Sequence, residues 1–115
     1  MEPSENSVLK IYASTTDKLG IKLFYEHIVY LAKEKGISGV TVYRGIMGYG
    51  LSSRQVSSSK FWEITEKLPI IIEIIDTTIS IENFYNSLEP DLEKMTKGIL
   101  VTIEPITIKL NKSGK

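Results

Sequence analysis

The chain has 115 residues, 42% hydrophobic and 24% charged, the size and composition of one soluble globular domain. A formal net charge of zero argues against bulk binding to nucleic acid or an anionic membrane, and the lack of cysteine excludes disulfides and thiolate metal sites. There is no apolar run long enough to span a bilayer and no basic-then-apolar leader, so no membrane insertion is expected and a cytoplasmic location is the default.

Met1 to Ser7 is polar and expected to be mobile, ahead of a single domain over residues 8–110. Val8 to Ser14 alternates as a strand, with Leu9, Ile11 and Ala13 on one face and Lys10 and Tyr12 on the other. From about Leu19 to Lys35 the period becomes helical: Ile21, Phe24, Ile28 and Leu31 form one stripe, and Gly36 is placed to end the helix. Val40 to Ile46 alternates again as a second strand. Gly45, Gly48 and Gly50 then offer positive φ or close backbone approach. Leu51 to Lys60 reads as a polar loop with five serines, one arginine and one lysine. Phe61 to Lys67 fits either a short helix or a strand extension.

Leu68 to Thr77 is the clearest strand, built on Pro-Ile-Ile-Ile-Glu-Ile-Ile-Asp. Ser80 to Met95 reads as a second helix burying Ile81, Phe84, Tyr85, Leu88, Leu92 and Met95, which Pro90 should kink or interrupt. Ile99 to Glu104 and Ile106 to Leu110 form the last strand or strand pair around Pro105, and residues 111–115 are a polar tail. The order β-α-β-β-α-β predicts an α+β, ferredoxin-like fold: a four-stranded antiparallel sheet with two helices on one face. The first and third strands should be central, and Pro105 suits an edge.

Two helices cover one face of such a sheet. Ile70, Ile72 and Ile74 take that face, which leaves Ile71 and Ile75, with Leu100 beside them, on the other. Each large aliphatic left in water forgoes roughly 1.5–3 kcal/mol of burial. Either copies of the chain face one another through their sheets, or the 61–67 segment folds back over the face.

Candidate chemistry is sparse. His27 is the only histidine and stands mid-helix without a ligand partner at i+4, so a transition-metal site is not expected. The carboxylates are scattered, with no pair marked for acid–base work. Glu73 stands apart because it interrupts the most apolar strand, where it should meet a structural partner, a ligand or a subunit seam. There is no Walker pattern, and Gly48-Tyr49-Gly50 opens a dinucleotide fingerprint that is not completed. The third strand lacks the aromatics of RNA-binding proteins of this shape. The paired cysteines of small metal chaperones are missing, as is a first-loop arginine of the kind used by phosphate-ester hydrolases.

The stretch Gly36-Ile-Ser-Gly-Val-Thr-Val through Gly48-Tyr-Gly50 resembles the strand and glycines that precede the long T-loop of PII signalling proteins. Ile-Ile-Glu-Ile-Ile of the third strand and Gly98-Ile-Leu-Val resemble further PII strands. Leu-Phe-Tyr-Glu, Tyr-Arg-Gly-Ile-Met-Gly-Tyr-Gly and Ser-Ser-Arg are closer still to small uncharacterised bacterial and archaeal PII-like proteins. The resemblance implies a non-enzymatic homotrimer with inward-facing sheets and an adenine nucleotide between subunits. ADP, AMP or ATP, or a cyclic nucleotide, would serve as ligand, and no cofactor is required. It implies Thr41, Glu73 and Ile75 near the base or ribose, and Gly48, Tyr49, Gly50, Leu51, Ser52, Ser53 and Arg54 along the phosphates. Thr96, Lys97 and Gly98 would supply a lysine and backbone amides. The loop over 51–60 would report occupancy to a protein or transporter target. The basic loop of PII is reduced here to Lys94-Met-Thr-Lys97-Gly98, and Lys109 and Lys112 are the only candidates for its C-terminal arginine pair. The alternative is an interaction trimer without a nucleotide site.

Overall fold

The computed structural model describes residues 5–50, 53–58 and 67–114. The chain runs β1 (Asn6–Ser14), β2 (Lys18–Leu19), β3 (Lys22–Leu23), α1 (Phe24–Glu34), β4 (Val40–Arg44), β5 (Met47–Gly50), β6 (Ser53–Ser58), β7 (Pro69–Thr77), α2 (Thr78–Lys94) and β8 (Leu100–Ile106). The main sheet has four strands in the order β4-β7-β1-β8, every pair antiparallel. The expected first and third strands are therefore central, and Pro105 lies on edge strand β8.

The core lies between this sheet and the two helices. Leu9 and Ile11 of β1 and Ile72 and Ile74 of β7 are fully buried against Phe24, Ile28 and Ala32 of α1 and Ile81, Phe84 and Leu88 of α2. Strand alternation and helical period thus converge on one apolar layer, each large side chain contributing roughly 1.5–3 kcal/mol.

Local chemistry moves several boundaries. β1 starts at Asn6, two residues before the apolar alternation. Ser7 is buried because its hydroxyl bonds the Thr78 hydroxyl at 2.7 Å, a contact that hydropathy does not register. The first helix starts at Phe24, not near Leu19. Residues 18–23 form a tight hairpin instead, with Gly20 at φ 67° as the first of its two turn residues. Ile21, expected in the buried stripe, sits at that tip and is 95% exposed. α1 ends as its glycine predicts: Gly36 has φ 79°, its N–H donates to Lys33 O, and the Ile37 N–H donates to Ala32 O.

α2 runs through Pro90 without interruption. The ring removes one backbone donor there, but Leu88 and Leu92 on either side stay packed on the core. At its start the Thr77 hydroxyl accepts from the Ser80 N–H at 3.1 Å. The last strand is a single segment that includes Pro105, and residues 107–111 do not continue it as a strand. Residues 61–66 of the ambiguous segment lie outside the described residues.

Two substitutions probe these ends. Thr77→Ala is expected to lower unfolding free energy by about 1 kcal/mol by removing the cap. Gly36→Ala, held in the left-handed region, should cost about 1–2 kcal/mol. Urea denaturation with an unchanged m-value would verify both as folded-state effects.

Candidate functional site

Val40 and Val42 of β4 pack on the core, so Thr41 and Tyr43, which alternate with them, face away from the helices. The same alternation turns Ile71, Glu73 and Ile75 outward from β7 and Lys10 and Tyr12 outward from β1. One row across this open face reads Tyr43, Ile71, Tyr12, Leu100, and the next reads Thr41, Glu73, Lys10, Thr102. Tyr43 is 50%, Tyr12 37%, Ile75 37% and Leu100 48% exposed. The expected uncovered apolar face is therefore present among the described residues.

At one end of this face lies a cleft of about 740 Å³, lined by residues 38–41, Glu73, Ile75 and residues 106–111. Its volume falls within the range of small-molecule sites. β8 and β4 are opposite edges of the sheet, so the segment leaving β8 must cross beneath β1 and β7 to share a cleft with β4. Val8 lies on the face it crosses and is 5% exposed. The other wall is fixed by Ser38: its N–H donates to Asp76 Oδ2 at 2.9 Å and its hydroxyl donates to Ile75 O at 3.0 Å.

Three residues assigned to base or ribose contact, Thr41, Glu73 and Ile75, meet in this cleft. Thr41 and Glu73 are direct cross-strand partners. The Tyr43 hydroxyl donates to Glu73 Oε1 at 3.3 Å, and Lys109 lines the opposite wall. Tyr43 and Ser38 were not among the residues expected at the site, and of residues 107–111 only Lys109 was singled out. Tyr43 was legible in principle, two positions from Thr41 on the same strand face.

Of the residues assigned to the phosphates, Gly48, Tyr49, Gly50, Thr96, Lys97 and Gly98 do not line the cleft. Gly48, Tyr49 and Gly50 form β5, and the backbone of Ser53 and Arg54 belongs to β6. Leu51 and Ser52 lie outside the described residues. The expected 51–60 loop is in part a two-stranded ribbon, pairing Met47 with Ser58 and Gly50 with Ser53. Its alternation was hidden by serines, which pair through their backbones as well as any residue does.

The glycines here have no positive φ; Gly20 and Gly36 are the described residues that do. Close approach is their role instead. A β-carbon on Gly45 would lie 3.0 Å from Pro69 Cγ, and one on Gly48 would lie 3.4 Å from it. The Gly45 N–H also donates to Pro69 O at 2.7 Å, which seats the ribbon on the start of β7. Thr96, Lys97 and Gly98 precede β8 at this same end of the sheet, but at the opposite edge. Three strand spacings, roughly 14 Å, separate the two edges.

Other polar groups lie outside the cleft. His27 Nε2 is 4.0 Å from Asp91 Oδ2 between the helices. Asp17 is buried and accepts the Ser14 N–H at 2.9 Å. Among the described residues no cluster of His, Cys, Asp and Glu is arranged to hold a metal ion, and no helix is long and apolar enough to cross a membrane.

This element order and sheet define an α+β protein with a ferredoxin-like fold, the fold it shares with a solved PII structure. The solved structure of CPII bound to ADP and bicarbonate, from Thiomonas intermedia K12, matches with a TM-score of 0.51 at 14% identity, over 85% of this chain and 86% of that one. The family DUF190, described as Uncharacterized ACR, matches residues 6–108, and the chain belongs to it. A UPF0166 protein of Methanocaldococcus jannaschii is 41% identical over 91 residues, 79% of each chain. A UPF0166 protein of Aquifex aeolicus is 30% identical over 108 residues, covering 94% of this chain and 97% of that one.

The glycine contacts are testable one at a time. Gly45→Ala is expected to cost about 1–3 kcal/mol, because Pro69 must give way, and to speed amide exchange in β5 and β6. Gly50→Ala, whose β-carbon would meet nothing within 4 Å, should stay within about 0.5 kcal/mol of the parent.

Proposed function

We propose that this chain is a PII-like regulatory protein, not an enzyme, that binds an adenine nucleotide and signals through residues 51–60, which include the second strand of the ribbon. The observation that carries this reading is the meeting of Thr41, Glu73 and Ile75 in one cleft. A carboxylate there accepts from the amino group of a base, Ile75 offers apolar contact, and Lys109 supplies positive charge.

Two features support assembly of copies, and the resemblance to PII proteins suggests a homotrimer. The open face needs cover, and the groups assigned to the phosphates stand at opposite edges of one sheet. A neighbouring copy that brings its β8 edge beside this chain's β4 edge would place Thr96–Gly98 near Gly48–Gly50. Ligand would bias the ribbon through contacts present in only one of its arrangements. ADP, AMP and ATP are the candidate ligands.

A second reading has support of its own. Ile46, Met47 and Tyr49 are 76%, 60% and 76% exposed around the ribbon, which suits direct contact with a protein or transporter partner without any nucleotide.

A thermal-shift panel with ADP, AMP and ATP, with the mass in solution recorded, separates the two. Ligand at about 100 times its dissociation constant should add roughly 2.7 kcal/mol per site. Glu73→Ala is expected to abolish the selective shift while the protein stays folded. No shift with any nucleotide on an intact trimer would overturn the first reading in favour of the second. Ile71→Arg should yield a folded species of lower mass, because it places a charge within the apolar row; an unchanged mass would place the subunit contact elsewhere.

A further inference from the structure

Ile21 at the tip of the 18–23 hairpin, and Ile46, Met47 and Tyr49 at the ribbon, are each more exposed than any apolar side chain of the open face. All four lie past the end of the sheet where β1 stops at Ser14 and β7 starts at Pro69, so they do not belong to that face. The hairpin that carries Ile21 is held at its neck. Asp17 is buried, its Oδ2 accepts the Ser14 N–H at 2.9 Å, and its carbonyl accepts the Phe24 N–H at 2.8 Å. The pairing Lys18↔Leu23 and Leu19↔Lys22 puts Lys18 and Lys22 on opposite faces, so the apolar tip has an exposed lysine on either flank. Arg44, Lys94 and Lys97 are exposed at the same end, and none of these five cations has an ion-pair partner among the described residues. Besides buried Asp17, the acidic side chains described there are Glu26, Asp91 and Glu93 on the helices, and Asp91 faces His27.

We propose that this end of the molecule is a contact surface for an anionic lipid bilayer, with Ile21 as the side chain that enters the interface. The apolar side chains stand at the tip of one hairpin and along another. A bilayer interface closes around such separate projections, whereas a protein partner must offer a matching packed surface. Lysines beside them lay their stems along the apolar layer and keep their ammonium groups at the lipid phosphates. Tyr49 has the apolar ring and polar tip that suit a membrane–water boundary. The chain has a formal net charge of zero, so the attraction is local and decays within about 10 Å at 0.1 M salt. The contact is peripheral, since no helix of the described residues is long and apolar enough to cross a membrane. It does not depend on the nucleotide cleft, which lies toward the other end of the sheet.

The test is co-sedimentation of the full chain with protein-free vesicles, made either of phosphatidylcholine alone or of equal parts phosphatidylcholine and phosphatidylglycerol, at about 0.1 M salt. The parent should sediment with the anionic vesicles and stay in solution with phosphatidylcholine. Ile21→Ser should lower the partition coefficient by roughly tenfold. Lys18→Gln combined with Lys22→Gln should lower it by roughly twentyfold. These positions are exposed, so folding should be intact, and a thermal melt verifies this. Equal binding to both vesicle types, or partitioning unchanged by Ile21→Ser, would overturn the proposal. So would a parent that ignores both vesicle types, which would leave these side chains to a protein partner.

Discussion

The alternation of β7 between edge strand β4 and central strand β1 is the constraint on which the molecule depends. Residues 70, 72 and 74 enter the layer under the helices, and residues 71, 73 and 75 must then point the other way. A one-residue slip would exchange the two sets and put Glu73 in the core. Register on both sides, against Ile11 and Lys10 of β1 and against Val42 and Thr41 of β4, rules that out. The open face, its apolar rows and the half-buried carboxylate of Glu73 are consequences of filling the core with Ile70, Ile72 and Ile74.

The ends of the sheet divide the remaining work. At one end Gly45 and Pro69 join the ribbon to β7, the Thr15 N–H donates to Leu68 O, and the 18–23 hairpin leads into α1. At the other, Ser38 and Asp76 tie the start of β4 to the end of β7, and the Thr78 N–H donates to Glu5 O. The cleft forms toward this second end because the segment after β8 turns beneath the sheet there. A strand continuing along the β8 edge would have left Val8 in water and Ile75 without a facing wall.

Apolar periodicity made the central strands, both helices and the open face legible in the sequence. It failed where polar or conformational chemistry decides. Ser7 extends β1 through a hydroxyl pair, and Gly20 turns residues 18–23 into a hairpin within an apparently helical stripe. The ribbon pairs serine backbones that carry no hydrophobic alternation. Pro90 sits in a helix that packing holds on both sides. In the site, Thr41, Glu73 and Ile75 were readable from a motif on two neighbouring strands, and they converge because those strands pair. Of the wall from residues 107–111 only Lys109 was legible, through the resemblance, since the wall's place depends on a crossing between opposite edges that no local pattern encodes.

Glu73 draws these threads together. Its position in the most apolar strand is costly only if the open face is covered, because a carboxylate removed from water needs donors. The structure supplies one from Tyr43, while Lys10 is directed to Glu104. A covering subunit would strengthen the Tyr43 hydrogen bond by lowering the local dielectric, and would raise the cost of leaving Oε2 unmet. Assembly would bear directly on this side chain: the apolar rows favour a partner copy, and a copy covering the face would take Glu73 out of water and require further donors for it.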